Sequence, residues 1–421
     1  MTMRFFFADS QDYIDPGYNF ESDQYTPGRI PQRDDLYAHE YYDTPPYDGM
    51  LVSRAIVGDE RWQGKYSTAQ SIRFRREGAR AFLRYHPEQN GGVLMGDCGA
   101  FSYLREPNPP YTVPEMVEYY ADSGFTHAVS IDHVILGYNE KLDAPSLFPE
   151  AVPLEWQRRW DLTLRLAEEF LEYCANHNAP FHPIGVAQGW SPNSYTLAVK
   201  RLVEIGYDYV ALGGMVPLKV DQIHRVLKAV RDVAPTVKLH LFGFTKADNI
   251  PEFLPYNIAS FDSTSPLLRA FKDNKRNYLA QKRWYIAVRV PHADESRHFK
   301  LDILAGIKSQ QLLRDQEERA LLALRAYSHH KLDLADALVP VLSYGKELHG
   351  TDHLQSYSET LADRPWEHCS CRACIETGID VMIFRGSNRN RRRGFHNLWE
   401  FHRQLCIHRK PREQELAQHA V

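Results

Sequence analysis

From about residue 91 the chain alternates short apolar runs with longer stretches of helical period, and this alternation constrains the fold more than any other feature of the sequence. The runs fall at Val93–Gly96, Ala128–Ile131, Pro183–Ala187, Tyr209–Leu212, Lys238–Phe242 and Ile258–Phe261. Between most of them lie amphipathic stretches, Val113–Gly124, Leu154–Asn176, Ser191–Gly206 and Val220–Ala234, whose apolar residues recur every three or four positions. Thr112 and Ser191 stand where N-caps are needed, each with a Pro close behind, and Gly206 stands where a helix should stop. Strands separated by helices pair in parallel, because each helix carries the chain back along the sheet. Six consecutive units, with Tyr285–Val290 as a later strand, predict an α/β fold of the (β/α)8 TIM-barrel type rather than a shorter open sheet. No Gly-x-Gly-x-x-Gly follows the first run, which weighs against a dinucleotide-binding doubly wound sheet.

The remainder divides around this barrel. Residues 1–90 read as an aromatic-rich extension and the start of the barrel, 91–300 as its main part with the mouth, 301–364 as a helical insertion, and 365–421 as an inserted zinc-binding subdomain with a final helix Asn397–Cys406. The first 60 residues hold seven tyrosines among Asp, Pro and Gly without helical or strand period, so an ordered, loop-rich segment is expected there. Residues 306–350 read as two helices, the second interrupted at Pro340. Lys+Arg 50 against Asp+Glu 54 gives a net charge of −4, which excludes a strongly basic nucleic-acid binder as a description of the whole chain but leaves room for a local basic patch. No apolar run reaches the roughly 18 residues that a membrane helix needs, and the N-terminus lacks the apolar core of a signal peptide. A soluble cytoplasmic protein without membrane partners is expected.

In a barrel of this type the loops after the strands converge on one cavity. The residues at the expected strand ends are Asp97, Asp132, Gln188, the pair Gly213-Gly214, and Asp262. A single Asp at a strand end is often only a helix cap or turn former. Three carboxylates and an amide aimed into one space describe a site that holds a polar planar ligand and places two carboxylates around a bond to be broken. Such a pair suits glycosidic chemistry, one group attacking an anomeric carbon and the other handling the leaving group's proton, and the spacing alone does not separate this from hydrolysis or aldol chemistry.

Near the C-terminus, Cys369-x-Cys371-x2-Cys374 followed by His396 supplies three thiolates and an imidazole, the ligand set of a closed tetrahedral structural zinc site. His368 and His402 are rival fourth ligands. Between the cysteines and His396 runs an Arg-rich stretch with Arg385, Arg389, Arg391, Arg392 and Arg393, read as a loop, and a second basic stretch carries Arg269, Lys272, Lys275 and Arg276 directly after Asp262. Charge runs are commonly solvated surface. Beside a carboxylate-lined mouth they also suit phosphate contacts, for which Arg offers a forked donor, and so hint at a nucleic-acid substrate.

Taken in order, Asp97-x-Gly99-x-Phe101, Asp132, Gly185–Gly189 (GVAQG), Leu212–Gly214 (LGG), Phe261-Asp262 and the Cys369–Leu398 cluster resemble the tRNA-guanine transglycosylase family. The likeness spans roughly residues 91–265 and 366–406. The segments FFFADSQDYIDPGYNFESD and PPYDGMLVSRAIV look in addition like its DpdA-type branch, tied to 7-deazaguanine modification of DNA. The resemblance implies a zinc-bearing barrel that exchanges guanine in DNA for 7-cyano-7-deazaguanine (preQ0), with Asp262 as nucleophile on C1′ and Asp97 assisting guanine departure. Asp132, Gln188, Gly213, Gly214 and Phe101 would hold the base, Arg269, Lys272, Lys275, Arg276, Arg389, Arg391, Arg392 and Arg393 the nucleic acid. The family's usual Asp-Ser-Gly-Gly-Phe-Gln reads Asp97-Cys98-Gly99-Ala100-Phe101-Ser102, so the Gln is replaced by Ser102. After Gly214 comes Met215-Val216-Pro217-Leu218, without the carboxylate that serves an aminomethyl cation, which fits a neutral nitrile better. The same exchange on tRNA is the alternative substrate reading, and a non-catalytic nucleic-acid-binding subunit is the alternative class; the presence of both Asp97 and Asp262 counts against the latter. A target base must leave its stack to be exchanged. The chain carries no Walker-type loop, so a separate ATPase would have to drive any opening of the duplex.

Overall fold

The computed structural model describes residues 3–61, 63–86, 92–143, 151–244, 249–293, 297–349 and 353–418. The chain divides into two compact units, one made of residues 1–11, 47–264 and 405–421, the other of 12–46 and 265–404.

Unit one is a closed parallel barrel. Its strands are β1 (Arg4–Ala8), β2 (Gly49–Ser53), β3 (Val93–Asp97), β4 (His127–Val129), β5 (His182–Ala187), β6 (Tyr209–Leu212), β7 (Lys238–Leu241) and β8 (Ser260–Asp262). The ring closes where Phe6 of β1 pairs with Asp262 of β8 on one side and with Gly49 of β2 on the other. Six strands match the apolar runs of the sequence. The first two, RFFFA and GMLVS, lie in the aromatic-rich N-terminal region, where no strand period is legible. Tyr285–Val290 is not a barrel strand. Arg283–Tyr285 pairs antiparallel with Tyr278–Ala280, and Val288–Arg289 pairs with Ile383–Phe384, all in the second unit.

The outer helices begin with α1 (Thr68–Leu83), α2 (Val113–Asp122), α3 (Leu154–Asn176), α4 (Pro192–Ile205) and α5 (Val220–Val233). Thr112 and Ser191 cap α2 and α4 as expected, each accepting from the backbone N–H three residues on. Gly206 ends α4 at φ 122°, a conformation that a side chain would strain. Inside the ring, Phe6, Leu51, Val93, Met95, Val129, Ile184, Val186 and Ala211 form one apolar core. This packed plug holds the strand ends in register, so the residues that follow it reach the mouth from fixed positions.

Unit two contains α6 (Ser265–Lys272), α7 (Gln310–Ser328), α8 (Leu334–His349) and α9 (Leu354–Asp363), and α10 (Ser387–Gln418) begins within it. Helix α8 runs through Pro340 without a break. The Arg-rich stretch expected as a loop is helical: α10 starts at Ser387, ten residues before the expected Asn397. Among the described residues no helix is long and apolar enough to cross a membrane.

Candidate active site and metal cluster

The strand ends bring together the carboxylates read from the sequence. Asp262 closes β8 and is almost fully buried. Its Oδ1 accepts from the backbone N–H of Gly243 at 2.9 Å and lies 3.2 Å from His240 Nε2. Gly243 adopts φ 58°, and a Cβ there would come within 2.8 Å of Val216, so glycine is what lets this N–H reach the carboxylate. Neither His240 nor Gly243 stands out in the sequence. His240 is an inward-facing residue of a short strand, and its contact with Asp262 depends on two adjacent strands being paired.

Asp97 ends β3, paired in register with Ser53 of β2. The Ser53 side chain and the Gly99 N–H both donate to it, yet desolvation, followed by the charge of Asp132 and more weakly of Asp262, pushes its pKa up to about 7. Asp97 and Asp262 therefore share one electrostatic site while standing in different surroundings. Gly99, at φ 82°, leaves no room for a Cβ beside Ala55 and Ser53.

Asp132 is buried, and burial raises its pKa to about 6. Its Oδ1 accepts from Cys98 Sγ at 3.2 Å and its Oδ2 from Gln188 Nε2 at 2.6 Å. Gln188 is itself fixed, since Oε1 accepts from the Ile135 N–H at 3.1 Å. A Cβ on Gly213 would sit 2.1 Å from Gln188 Nε2, so the Gly pair is the space that the amide occupies. The Gly213 N–H bonds to Ala187 O, and its carbonyl accepts from Tyr195 Oη at 2.8 Å. Tyr103, buried between Cys98 and the Asp132 carbonyl, completes a floor that the sequence does not announce. Phe101 is 55% exposed on the turn after β3, a flat apolar face open to a planar partner. Ser102 does not replace the missing Gln, because its hydroxyl turns back to Gly99 O at 2.7 Å.

The basic residues separate into two groups. In the second unit Arg389 and Arg393 have no exposed surface and Arg392 has 2%. Arg389 pairs with Asp23 and Asp380, Arg392 with Glu376 and the carbonyls of Asp15 and Pro16, and Arg393 with the carbonyls of Val381, Ile383 and Ala270. Arg391, half-buried, lies over the Tyr13 ring and donates to Tyr13 O. These guanidiniums hold the tyrosine-rich segment 12–46 inside its unit; for Arg389, Arg392 and Arg393 this corrects the reading as phosphate contacts, because a cation with almost no exposed surface cannot reach a DNA phosphate. Lys272, Lys275 and Arg276 are exposed, and Arg269 lies over the Trp284 ring at 4.6 Å.

Cys369, Cys371, Cys374 and His396 converge, with all four ligand atoms within 4.8 Å of one another. His396 Nδ1 faces the three sulfurs at 3.3–3.4 Å, while Nε2 meets Leu279 O at 2.6 Å. That outer bond fixes the tautomer that leaves Nδ1 as the ligand. Tyr278 stacks on the imidazole at 3.9 Å and reaches Cys374 Sγ at 3.2 Å. Of the three histidines weighed as the fourth ligand, it is His396 that joins the cysteines. Three sulfurs, two of them on buried cysteines, around an oriented imidazole are a donor set fit for a metal.

A closed parallel barrel whose mouth gathers three carboxylates and an amide, together with a Cys3His cluster, is the architecture of a barrel enzyme with a separate metal-binding motif. No protein-family model matches the chain. It is 40% identical over 410 residues, 96% of each chain, to a protein of Salmonella montevideo named DNA-guanine transglycosylase. The chain belongs to the DNA-guanine transglycosylase family and is an enzyme of that class.

Proposed function

We propose that the protein exchanges guanine in DNA for preQ0 by double displacement. The observation that carries this reading is the pair at the mouth: Asp262, ordered by donors on one oxygen only, and Asp97, held near neutrality with a pKa of about 7. In the first step Asp262 Oδ2 attacks C1′ as the C1′–N9 bond breaks. The bonding electrons leave with guanine, which takes a proton from Asp97. In the second step N9 of the incoming base attacks C1′, its proton passes to Asp97, and the Asp262 carboxylate leaves. Two inversions give net retention. Asp132 and Gln188 would meet the polar edge of the base and Phe101 its face. Water must be kept from the intermediate, since hydrolysis would leave an abasic site.

Support for an uncharged 7-substituent comes from residues 215–218, MVPL, which carry no carboxylate; Val216 is partly exposed beside Gly243, itself a donor to Asp262. A cyano group needs no counter-ion there, whereas an aminomethyl cation would. The exposed Lys272, Lys275 and Arg276, with Arg269, are the candidates for DNA phosphates. Zinc is the metal the Cys3His set suits, and four protein ligands give it a structural role. A separate ATPase is proposed to open the duplex, in an enzyme acting in the cytoplasm.

The test is nucleoside mass spectrometry of DNA and of tRNA from cells carrying the wild type or Asp262→Ala. A 7-cyano-7-deazaguanine deoxynucleoside present with the wild type and lost with the variant is expected. A modified ribonucleoside in its place would overturn the DNA assignment.

A further inference from the structure

A hydrogen-bonded chain runs through the barrel interior from β6 to Asp262. Tyr209 Oη lies 2.5 Å from Ser260 Oγ, Ser260 Oγ lies 2.6 Å from His240 Nδ1, and His240 Nε2 lies 3.2 Å from Asp262 Oδ1. His240 has no exposed surface. Its ring is clamped by Phe6, stacked at 5.7 Å, and by Phe242, edge-on at 4.8 Å, so it cannot swing to another partner.

The direction of every proton in this chain follows from its end. An ionised carboxylate only accepts, so His240 Nε2 carries the hydrogen it shares with Asp262. Taken as neutral, the ring leaves Nδ1 an acceptor, to which Ser260 Oγ–H donates. Ser260 Oγ in turn accepts from the Tyr209 hydroxyl, whose pKa burial pushes up to about 12, so that it keeps its proton. With the Gly243 N–H, two donors therefore converge on Asp262 Oδ1 and none of the described contacts engages Oδ2.

We propose that His240 is a positioning residue which, locked in the Nε2–H tautomer by Ser260 and Tyr209, presents Asp262 Oδ2 to the sugar and holds Oδ1 throughout the reaction. The inference rests on the reading of Asp262 as the nucleophile. When Oδ2 bonds to C1′, Oδ1 becomes the carbonyl oxygen of the ester. When the second base attacks, the C1′–Oδ2 bond breaks, its electrons return to the carboxylate, and the same two donors receive the charge. Donors fixed before the charge develops need no reorganisation, which is where such groups have their largest effect.

Single-turnover formation of the covalent DNA adduct by the full-length protein, with DNA affinity measured beside it, tests this. His240→Phe keeps the packing and removes the donor; adduct formation is expected to slow about 100-fold with DNA affinity within about twofold of wild type. His240→Gln restores an N–H near the Nε2 position and is expected to recover most of the rate. Tyr209→Phe leaves the Ser260 hydroxyl free to donate and is expected to cost only a few-fold. Equal losses in all three variants, or a wild-type rate in His240→Phe, would overturn the proposal. An adduct formed by Asp262→Ala would instead overturn the nucleophile assignment beneath it. A readout independent of turnover is the nitrogen NMR of labelled His240: a protonated Nε2 beside a bare Nδ1 supports the lock, and the opposite tautomer refutes it even where a variant fails to fold.

Discussion

Asp97 and Asp262 are the same functional group held in contrasting surroundings. Desolvation and the charge of Asp132 hold Asp97 near neutrality at physiological pH, while Asp262 meets two donors on one oxygen. In the proposed mechanism Asp97 must be protonated to assist guanine departure, so adduct formation is expected to fall as pH rises through about 7, and Asp97→Asn should remove that dependence along with most of the rate. Single-turnover rates between pH 5.5 and 8.5 (roughly the span over which such a group titrates) check this. The same burial has a stability consequence of known sign. A carboxyl whose folded pKa lies above its unfolded value stabilises the fold fully below about pH 4 and loses that contribution as pH rises through about 7. Asp97→Asn should therefore be more stable than the wild type at pH 8, by roughly 1–3 kcal/mol, with the gap closing toward pH 4. Chemical denaturation at the two pH values reads it. Which residues stand at strand ends was legible because a strand's end follows from its apolar run. His240, Ser53 and Tyr103 were not, since each acts across a strand pairing or a turn that no local pattern marks.

Helix α10 shows why a charge run cannot be interpreted from its own residues. In sequence, Arg389 to Arg393 is a cationic stretch with no acidic residue between Asp380 and Glu400. In the fold its partners are Asp23, Asp380, Glu376 and carbonyls that include those of Asp15, Pro16 and Phe20, most of them hundreds of residues away along the chain. The aromatic-rich segment supplies ring faces as well, Phe20 under Arg389 at 5.2 Å and Tyr41 under Arg392 at 5.5 Å. Two features that look unrelated in the sequence, the tyrosines and the arginines, are thus halves of one buried network. Arg389→Ala would leave Asp23 to Arg385 and Asp380 to Arg325, so neither charge is stranded, and should cost about 1.5–3 kcal/mol in stability through the charge-assisted hydrogen bonds it removes. The exposed Lys272, Lys275 and Arg276 predict the reverse phenotype. Replacing all three with Ala should leave the melting temperature unchanged while weakening DNA binding and flattening its dependence on salt by about one unit of slope per lost phosphate contact. Titrations at several salt concentrations separate the two groups of cations.

At the scale of the molecule, six of the eight barrel strands were visible because each is an apolar run bounded by helices; the two that close the ring were hidden. RFFFA and GMLVS are five residues each, set among tyrosines, prolines and aspartates, and what makes them strands is the pairing of Phe6 with Asp262 and of Ser53 with Asp97 rather than any period of their own. The Cys3His cluster was legible for the opposite reason, because metal-ligand spacing is local. The cluster draws on parts of the chain with little regular structure between them: a loop and the short helix Arg372–Thr377 on one side, α10 on the other, with Leu279 of a two-stranded hairpin holding His396 from outside. A metal there would substitute for the core that such a segment lacks, and its binding energy would be folding energy. Stripping the metal with a strong chelator should therefore release one zinc per chain and raise amide exchange first around Tyr278–Ala280, Arg372–Thr377 and the start of α10. The barrel strands, whose apolar core contains none of the ligands, should keep their protection. Hydrogen exchange before and after chelation, with Cys369→Ser as the genetic counterpart, measures both. Loss of protection in the barrel strands at the same rate would show instead that the metal supports the whole fold.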